Sequence, residues 1–168
     1  DATTIIDGSG TVRMVSLGDL GDAQLFTNGP FIGTIGSDQT IAGSGIIDGR
    51  NGGTIVNNGT INGDHAAAGK NPAIALDLRG NHDGSDGGMY RSDDGILSLG
   101  NGLVLDGGTF DSSGAGIVEM TTNGVASLSN VTNLGQMGIR GQGGAISLVG
   151  PMTNDGTLTI NSNNNVFN

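Results

Sequence analysis

Four aspartates fall close together, Asp83, Asp86, Asp93 and Asp94, in the run NHDGSDGGMYRSDDG that follows Gly80. Carboxylates and amides on a glycine-rich segment are the hard oxygen ligands that Ca2+ takes, so these four, with Asn81 and His82 beside them, form the candidate calcium site. The spacing is not that of an EF-hand loop, which closes on a glutamate, nor of the nonapeptide of calcium-binding β-rolls. Met89 is the one aliphatic side chain of the segment. The competing expectation is therefore a solvated acidic surface loop, inserted at 80–95.

Catalytic chemistry has few parts to work with. Asp93 and Asp94 could supply the acid and base of an inverting glycoside hydrolase. A polysaccharide lyase needs a basic proton abstractor, and the cations are Arg13, Arg50, Lys70, Arg79, Arg91 and Arg140. The two histidines, His65 and His82, lie in Gly-, Ala- and Asp-rich surroundings with no Ser or Cys paired to them. Lys70 and Glu119 are the one lysine and the one glutamate, which would allow a Lys–Asn isopeptide bond with an acid nearby. No glycine-rich stretch leads into GK[ST] and a helix, so no phosphate loop is expected. Cysteine is absent, which removes disulfides and thiolate metal sites. A non-enzymatic protein is expected, with Ca2+ the one candidate cofactor and a polysaccharide lyase or hydrolase as an alternative.

The elements that would position such residues are short. Apolar and small polar residues alternate in TIAGSGIID, AIALDL, ILSLGNGLVLD, VASLSNV and TLTIN, which is the period of strands. Between them stand GRNGG, NNG, GNG, DGG and GQGG, whose Gly and Asn accept the positive φ of sharp corners. A polar-Gly-polar-apolar pattern recurs at Gly59, Gly108, Gly135 and Gly156. If the wide step from Gly59 to Gly108 is two units, each unit is about 21–27 residues, the length of one coil of a parallel β-solenoid.

One such coil cannot bury its own Ile, Leu and Val, whereas stacked coils bury them and pair their backbones. Asn57, Asn58, Asn133 and Asn154 at equivalent corners would hydrogen-bond up the stack as a ladder. The expected fold is an all-β, right-handed parallel β-helix spanning 1–168 as one domain. Residues 1–39 are expected to form an irregular first coil or cap, since 12–26 shows helical spacing broken by Gly18 and Gly21. An antiparallel sandwich or barrel is the competing fold, because Asn-Gly is also a strong hairpin signal. Only Thr157 and Thr159 show Thr-x-Thr spacing, so a regular outward threonine array is not expected.

The remaining composition narrows the partners. Glycine supplies 34 of 168 residues and proline 3, without the Gly-X-Y period of collagen. Six basic against sixteen acidic residues leave a net charge of −10, which disfavours nucleic acid and anionic membranes. No apolar run reaches the length of a membrane span. One tyrosine, four phenylalanines and no tryptophan leave little for aromatic sugar or protein recognition.

The stretches TIAGSGIIDGRNGGTIVNNGTINGD and PMTNDGTLTIN resemble the repeat regions of bacterial surface proteins, over roughly residues 40–161. The likeness is to the β-helical stalks of autotransporter passengers and filamentous-haemagglutinin-like adhesins. It implies export to the cell surface or medium and a structural, adhesive or fibre-forming role, and it carries no functional residues. The expected partner is the chain itself, joined head to tail in filaments. The alternative is an adhesin that binds a cell-surface glycan or receptor through 80–95.

Overall fold

The computed structural model describes residues 3–16, 23–64, 75–120, 123–139, 143–161 and 166–167. These residues form a parallel β-solenoid of about six coils, with no helix among them. The first coil contributes β1 (Thr3–Ile6) and β2 (Thr11–Met14). The second holds β3 (Gln24–Asn28), β4 (Ile32–Ile35) and β5 (Thr40–Gly43), and the third holds β6 (Gly45–Asn57) and β7 (Thr60–Asn62). Next come β8 (Leu76–Asp83) and β9 (Met89–Asp93), then β10 (Ile96–Leu99), β11 (Val104–Asp106) and β12 (Thr109–Ser113). The stack continues through β13 (Ile117–Met120), β14 (Gly124–Ser129) and β15 (Val131–Asn133). It ends with β16 (Gln136–Ile139), β17 (Gly144–Leu148), β18 (Met152–Asn154), β19 (Thr157–Ile160) and β20 (Val166–Phe167).

Every strand-to-strand pairing is parallel and joins one coil to the next, so the chain winds around three faces. The first face stacks β3, the start of β6, the start of β8, β10, β13, β16 and β19. The second stacks β1, β4, the ends of β6 and β8, β11, β14, β17 and β20. Because β6 and β8 run through the corner between these faces, the two form one bent 13-stranded sheet. The third face is a seven-stranded sheet of β2, β5, β7, β9, β12, β15 and β18.

Parallel pairing in register lines up equivalent positions as columns, and the columns explain the core. On the first face Leu25, Ile47, Leu78, Leu99, Met120, Ile139 and Ile160 occupy one inward column. On the third face Ile41, Ile61, Tyr90 and Phe110 form another, each fully buried. Adjacent rungs stand about 4.8 Å apart, so each side chain packs on its equivalents above and below. A single hydrophobic cluster thereby runs from Met14 to Ile146. Polar residues project outward at the alternating positions.

The coil length varies more than the repeat pattern suggests. The step from Val118 to Met137, its partner in the next coil, is much shorter than the step from Ile46 to its partner Asp77. The surplus of the long coil falls between β7 and β8, mostly outside the described residues, and not at 80–95. The expected acidic insertion at 80–95 is thus overturned: β8 and β9 occupy most of it, pairing on both sides. His82, Tyr90 and Ser92 are buried there, and only the turn 84–88 and the two residues 94–95 lie outside β8 and β9. Residues 1–39 are likewise no irregular cap over their described part, since β1 and β2 pair in regular register with β4 and β5. The helical spacing of 12–26 yields strands at both of its ends.

Candidate functional site

The four aspartates of the candidate calcium site do not converge. Asp83 ends β8 and Asp86 lies in the turn before β9, while Asp93 and Asp94 stand at the far end of β9. The strand Met89–Asp93 lies between the two pairs, about 16 Å of extended chain. Asp83 is engaged locally, its Oδ1 accepting from Ser85 N at 3.0 Å and Ser85 Oγ at 2.7 Å. Asp94, at φ 55°, accepts from Ala115 N at 2.8 Å in the next coil. No group of three or more His, Cys, Asp or Glu side chains suited to a metal ion occurs among the described residues.

Asp93 is the hub of a polar network on the outer surface of the third face. Its Oδ1 accepts from Arg91 Nε at 2.6 Å and from the Ser113 hydroxyl, and its Oδ2 accepts from Asn62 Nδ2 at 3.0 Å. Asn62 Oδ1 accepts in return from Asp93 N at 3.1 Å. Arg91 also reaches Asp111 Oδ2 at 3.9 Å. Partial burial pushes the Asp93 carboxyl up, but the Ser113 hydroxyl, the Arg91 guanidinium and the Asn62 amide together hold it below the usual carboxylate range. A group kept ionised in this way cannot donate a proton at neutral pH, so Asp93 lacks the raised pKa of a glycosidase acid. The network ties three successive coils together instead.

The predicted corner residues separate into two corners. Gly59 and Gly108 lie between the second and third faces; their stack also includes Gly88, through Met89 N to Gly59 O and Thr109 N to Gly88 O. Gly135 and Gly156 lie between the third and first faces, joined through Thr157 N to Gly135 O. The step from Gly59 to Gly108 is two coils and that from Gly135 to Gly156 is one, but the step from Gly108 to Gly135 crosses from one corner to another.

The expected asparagine ladder divides in the same way. Asn133 Nδ2 donates to Asn154 Oδ1 at 2.7 Å, a true rung. Asn57 is fully buried and bonds Met89 O and Gly59 N, while Asn58 joins the stack through its backbone N–H to Ile35 O. The remaining corner, between the first and second faces, carries the pairs Asn28-Gly29, Asn51-Gly52 and Asn101-Gly102. There Asn51 Nδ2 donates to Asn28 Oδ1 at 2.8 Å, and Asn101 Oδ1 accepts from Val125 N at 3.1 Å.

Two arrangements escape sequence reading. First, Thr11, Thr40, Thr60, Met89, Thr109, Thr132 and Thr153 form one outward column along the whole third face. The threonine array that Thr-x-Thr spacing excludes therefore exists across coils, where the signal is one threonine recurring in nearly every coil. Second, His82 sits in the inward column of the second face between Ile55 and Leu105. Its Nε2 lies 3.1 Å from Arg79 O and 3.3 Å from Ile47 O, which fixes Nε2 as the protonated nitrogen; Nδ1 is buried without a partner. Burial lowers its pKa to about 4, against two backbone hydrogen bonds that raise it. Tyr90 stands edge-on to the imidazole at 6.4 Å, and its buried hydroxyl makes no well-formed hydrogen bond. Burial pushes the Tyr90 pKa up, against the nearby Asn57 side chain, which lowers it.

Of the cations, Arg50 stacks 3.6 Å above the Phe26 ring and Arg79 Nε pairs with Asp77 Oδ2 at 2.6 Å. Asp77, Ser98 and Glu119 form a buried outward column on the first face. His65, Lys70 and Arg140 lie outside the described residues, and with them the isopeptide pairing. No protein-family profile matches this chain, and no curated protein and no solved structure is significantly similar to it.

Proposed function

We propose that this chain is a structural, non-enzymatic rod that self-associates as part of a fibre or stalk outside a bacterial cell. The observation that carries the reading is the stack itself. Three parallel faces run unbroken around one continuous apolar interior, and their side chains are spent on joining coil to coil. Asp93, Asn62, Ser113, Asn133 and Asn154 bond across rungs. Such a stack of about six coils is about 30 Å tall, with each rung held along three faces. The acidic surface with one lysine and no cysteine suits an exported protein.

The receptor-binding alternative placed its specificity in 80–95. That segment supplies strands and core residues, and its exposed residues are 85–87 and Asp94. Purified protein imaged in negative stain at rising concentration is expected to show rods that lengthen. Particles of one short length at every concentration would refute self-association, and turnover of acidic polysaccharides by the same preparation would refute the non-enzymatic reading.

A further inference from the structure

We infer that the corner Asn51-Gly52 is a site of spontaneous covalent modification, at which Asn51 cyclises onto the Gly52 nitrogen and hydrolyses to aspartyl and isoaspartyl residues. The inference is independent of the rod reading, because it concerns one corner of one chain.

The sequence holds six Asn-Gly pairs, at 28–29, 51–52, 58–59, 62–63, 101–102 and 123–124. Glycine has no side chain to hinder attack by its own nitrogen, so the six are nearly alike as sequence and the fold separates them. Reaction needs a glycine N–H free of hydrogen bonds, since its nitrogen is the nucleophile. It also needs a corner that opens far enough for that nitrogen to reach Asn Cγ.

Five pairs are restrained. Gly59 N donates to Asn57 Oδ1 at 3.2 Å and Gly63 N to Arg91 O at 2.9 Å, and both glycines are buried. Asn62 is held at both ends of its amide by Asp93. Gly102 N donates to Val125 O at 3.0 Å, while Asn101 Oδ1 accepts from Val125 N. Gly124 belongs to β14, in register with Gly144 and with the Asn101 side chain against it, so its peptide cannot swing without disturbing a rung. Gly29 is half-buried beside the Phe31 ring, and its carbonyl accepts from Phe31 N at 2.8 Å, which closes that corner on itself.

Asn51-Gly52 lacks these restraints. Arg50 is the last residue of β6 paired with β3, and Thr54 is the first paired with β4. On the other side the register with β8 skips from Gly49 to Thr54. Asn51 and Gly52 therefore bulge out of the ladder on both sides, exposed, at φ 54° and 86°. Positive φ at both positions is the tight turn that Asn-Gly favours. A Cβ on Gly52 would meet nothing within 4 Å, so the corner has room to open. One bond holds the reacting side chain, from Asn51 Nδ2 to Asn28 Oδ1 at 2.8 Å, between two exposed residues. A bond of that kind slows the reaction about fivefold and does not block it.

In the reaction the Gly52 nitrogen gives its proton to solvent base and bonds to Asn51 Cγ. The Cγ–Nδ2 bond breaks, Nδ2 takes a proton from water and leaves as ammonia, and a cyclic imide remains. Water then opens either imide carbonyl. One opening leaves an aspartate, and the other leaves an isoaspartate whose backbone runs through the former side chain. Nothing is oxidised or reduced, and water is the only co-reactant. Either product replaces the Nδ2 donor with a carboxylate facing Asn28 Oδ1, and the bulge takes the longer backbone without shifting a rung.

The test is to age the purified protein in mildly alkaline buffer, with and without denaturing urea. Peptide mapping by mass spectrometry and enzymatic methylation of isoaspartyl groups then follow all six pairs. In the folded protein Asn51 is expected to convert first, ahead of Asn28 and Asn123 and about tenfold or more ahead of Asn58, Asn62 and Asn101. In urea the six rates are expected to converge. If another pair converts as fast as Asn51 in the folded protein, or if the same ranking persists in urea, the assignment to this corner is overturned. Asn28→Ala removes the restraining bond and is expected to raise the Asn51 rate about fivefold. A rate no higher than that of the wild type overturns the role given to that bond.

Discussion

Lowering the pH from 7.5 to 4.5 should weaken the fold through one side chain, His82. In the folded protein its Nδ1 faces the apolar interior without a partner, and its pKa falls from 6.5 to about 4 because burial excludes the cation. The unfolded chain binds the proton more readily. The stabilising difference is therefore complete above pH 6.5 and is lost as the pH falls from 6.5 to about 4. At about 1.4 kcal/mol per tenfold change in proton affinity, the full loss is roughly 3 kcal/mol, of which about 2.5 kcal/mol is gone by pH 4.5.

With a urea dependence of about 2 kcal/mol per molar, the unfolding midpoint should drop by about 1.2 M between pH 7.5 and 4.5. Asp93 is held below the ordinary carboxylate range, so its stabilisation is lost only at lower pH. The informative comparison is His82→Leu, which continues the column of Ile55 and Leu105 and removes the titrating group. Its midpoint should be nearly level over the same interval, and the comparison cancels anything common to both proteins, His65 included. If His82→Leu keeps the wild-type slope, the buried imidazole is not the source of the acid sensitivity and the argument fails.

Gly102 sits at φ 80° with open space around its Cα, so Gly102→Ala should cost about 1–2 kcal/mol from backbone strain alone. Gly102→Asn should cost distinctly less because Asn tolerates that region, and thermal melts of the two variants separate strain from crowding. Millimolar Ca2+ should leave the melting temperature unchanged, because the two pairs of aspartates at 83/86 and 93/94 lie at opposite ends of β9. A rise of several degrees on adding Ca2+, reversed by chelation, would contradict that geometry.

Much of the architecture was legible in the residues. Strand-forming runs such as TLTIN alternate with Asn-Gly corners, and neither element can be satisfied alone, so stacking in coils is the arrangement that covers the first and closes the second. The misreadings share one physical cause. Whether a residue points into the stack or out of it depends on which residue of the neighbouring coil lies beside it. The segment 80–95 looks like a loop because its composition is polar, yet Tyr90 is fully buried on β9 between Ile61 and Phe110. Gly108 supplies the room: a Cβ there would come within 2.7 Å of the Tyr90 ring. The recurring glycines carried the period but not its phase, since three different corners use the same turn chemistry.

Composition and alternation by themselves determined that this chain is turn-dense, strand-rich, acidic and built from repeats of about two dozen residues. These are local properties, set by backbone preference and side-chain polarity. Only the tertiary structure decided the register. Register aligns threonines from successive coils into one column, parts the four aspartates into two pairs, and buries His82 among aliphatic side chains. It also gives Arg13 and Asp155 equivalent places at opposite ends of one column, because parallel pairing relates residues by rung and not by distance along the chain.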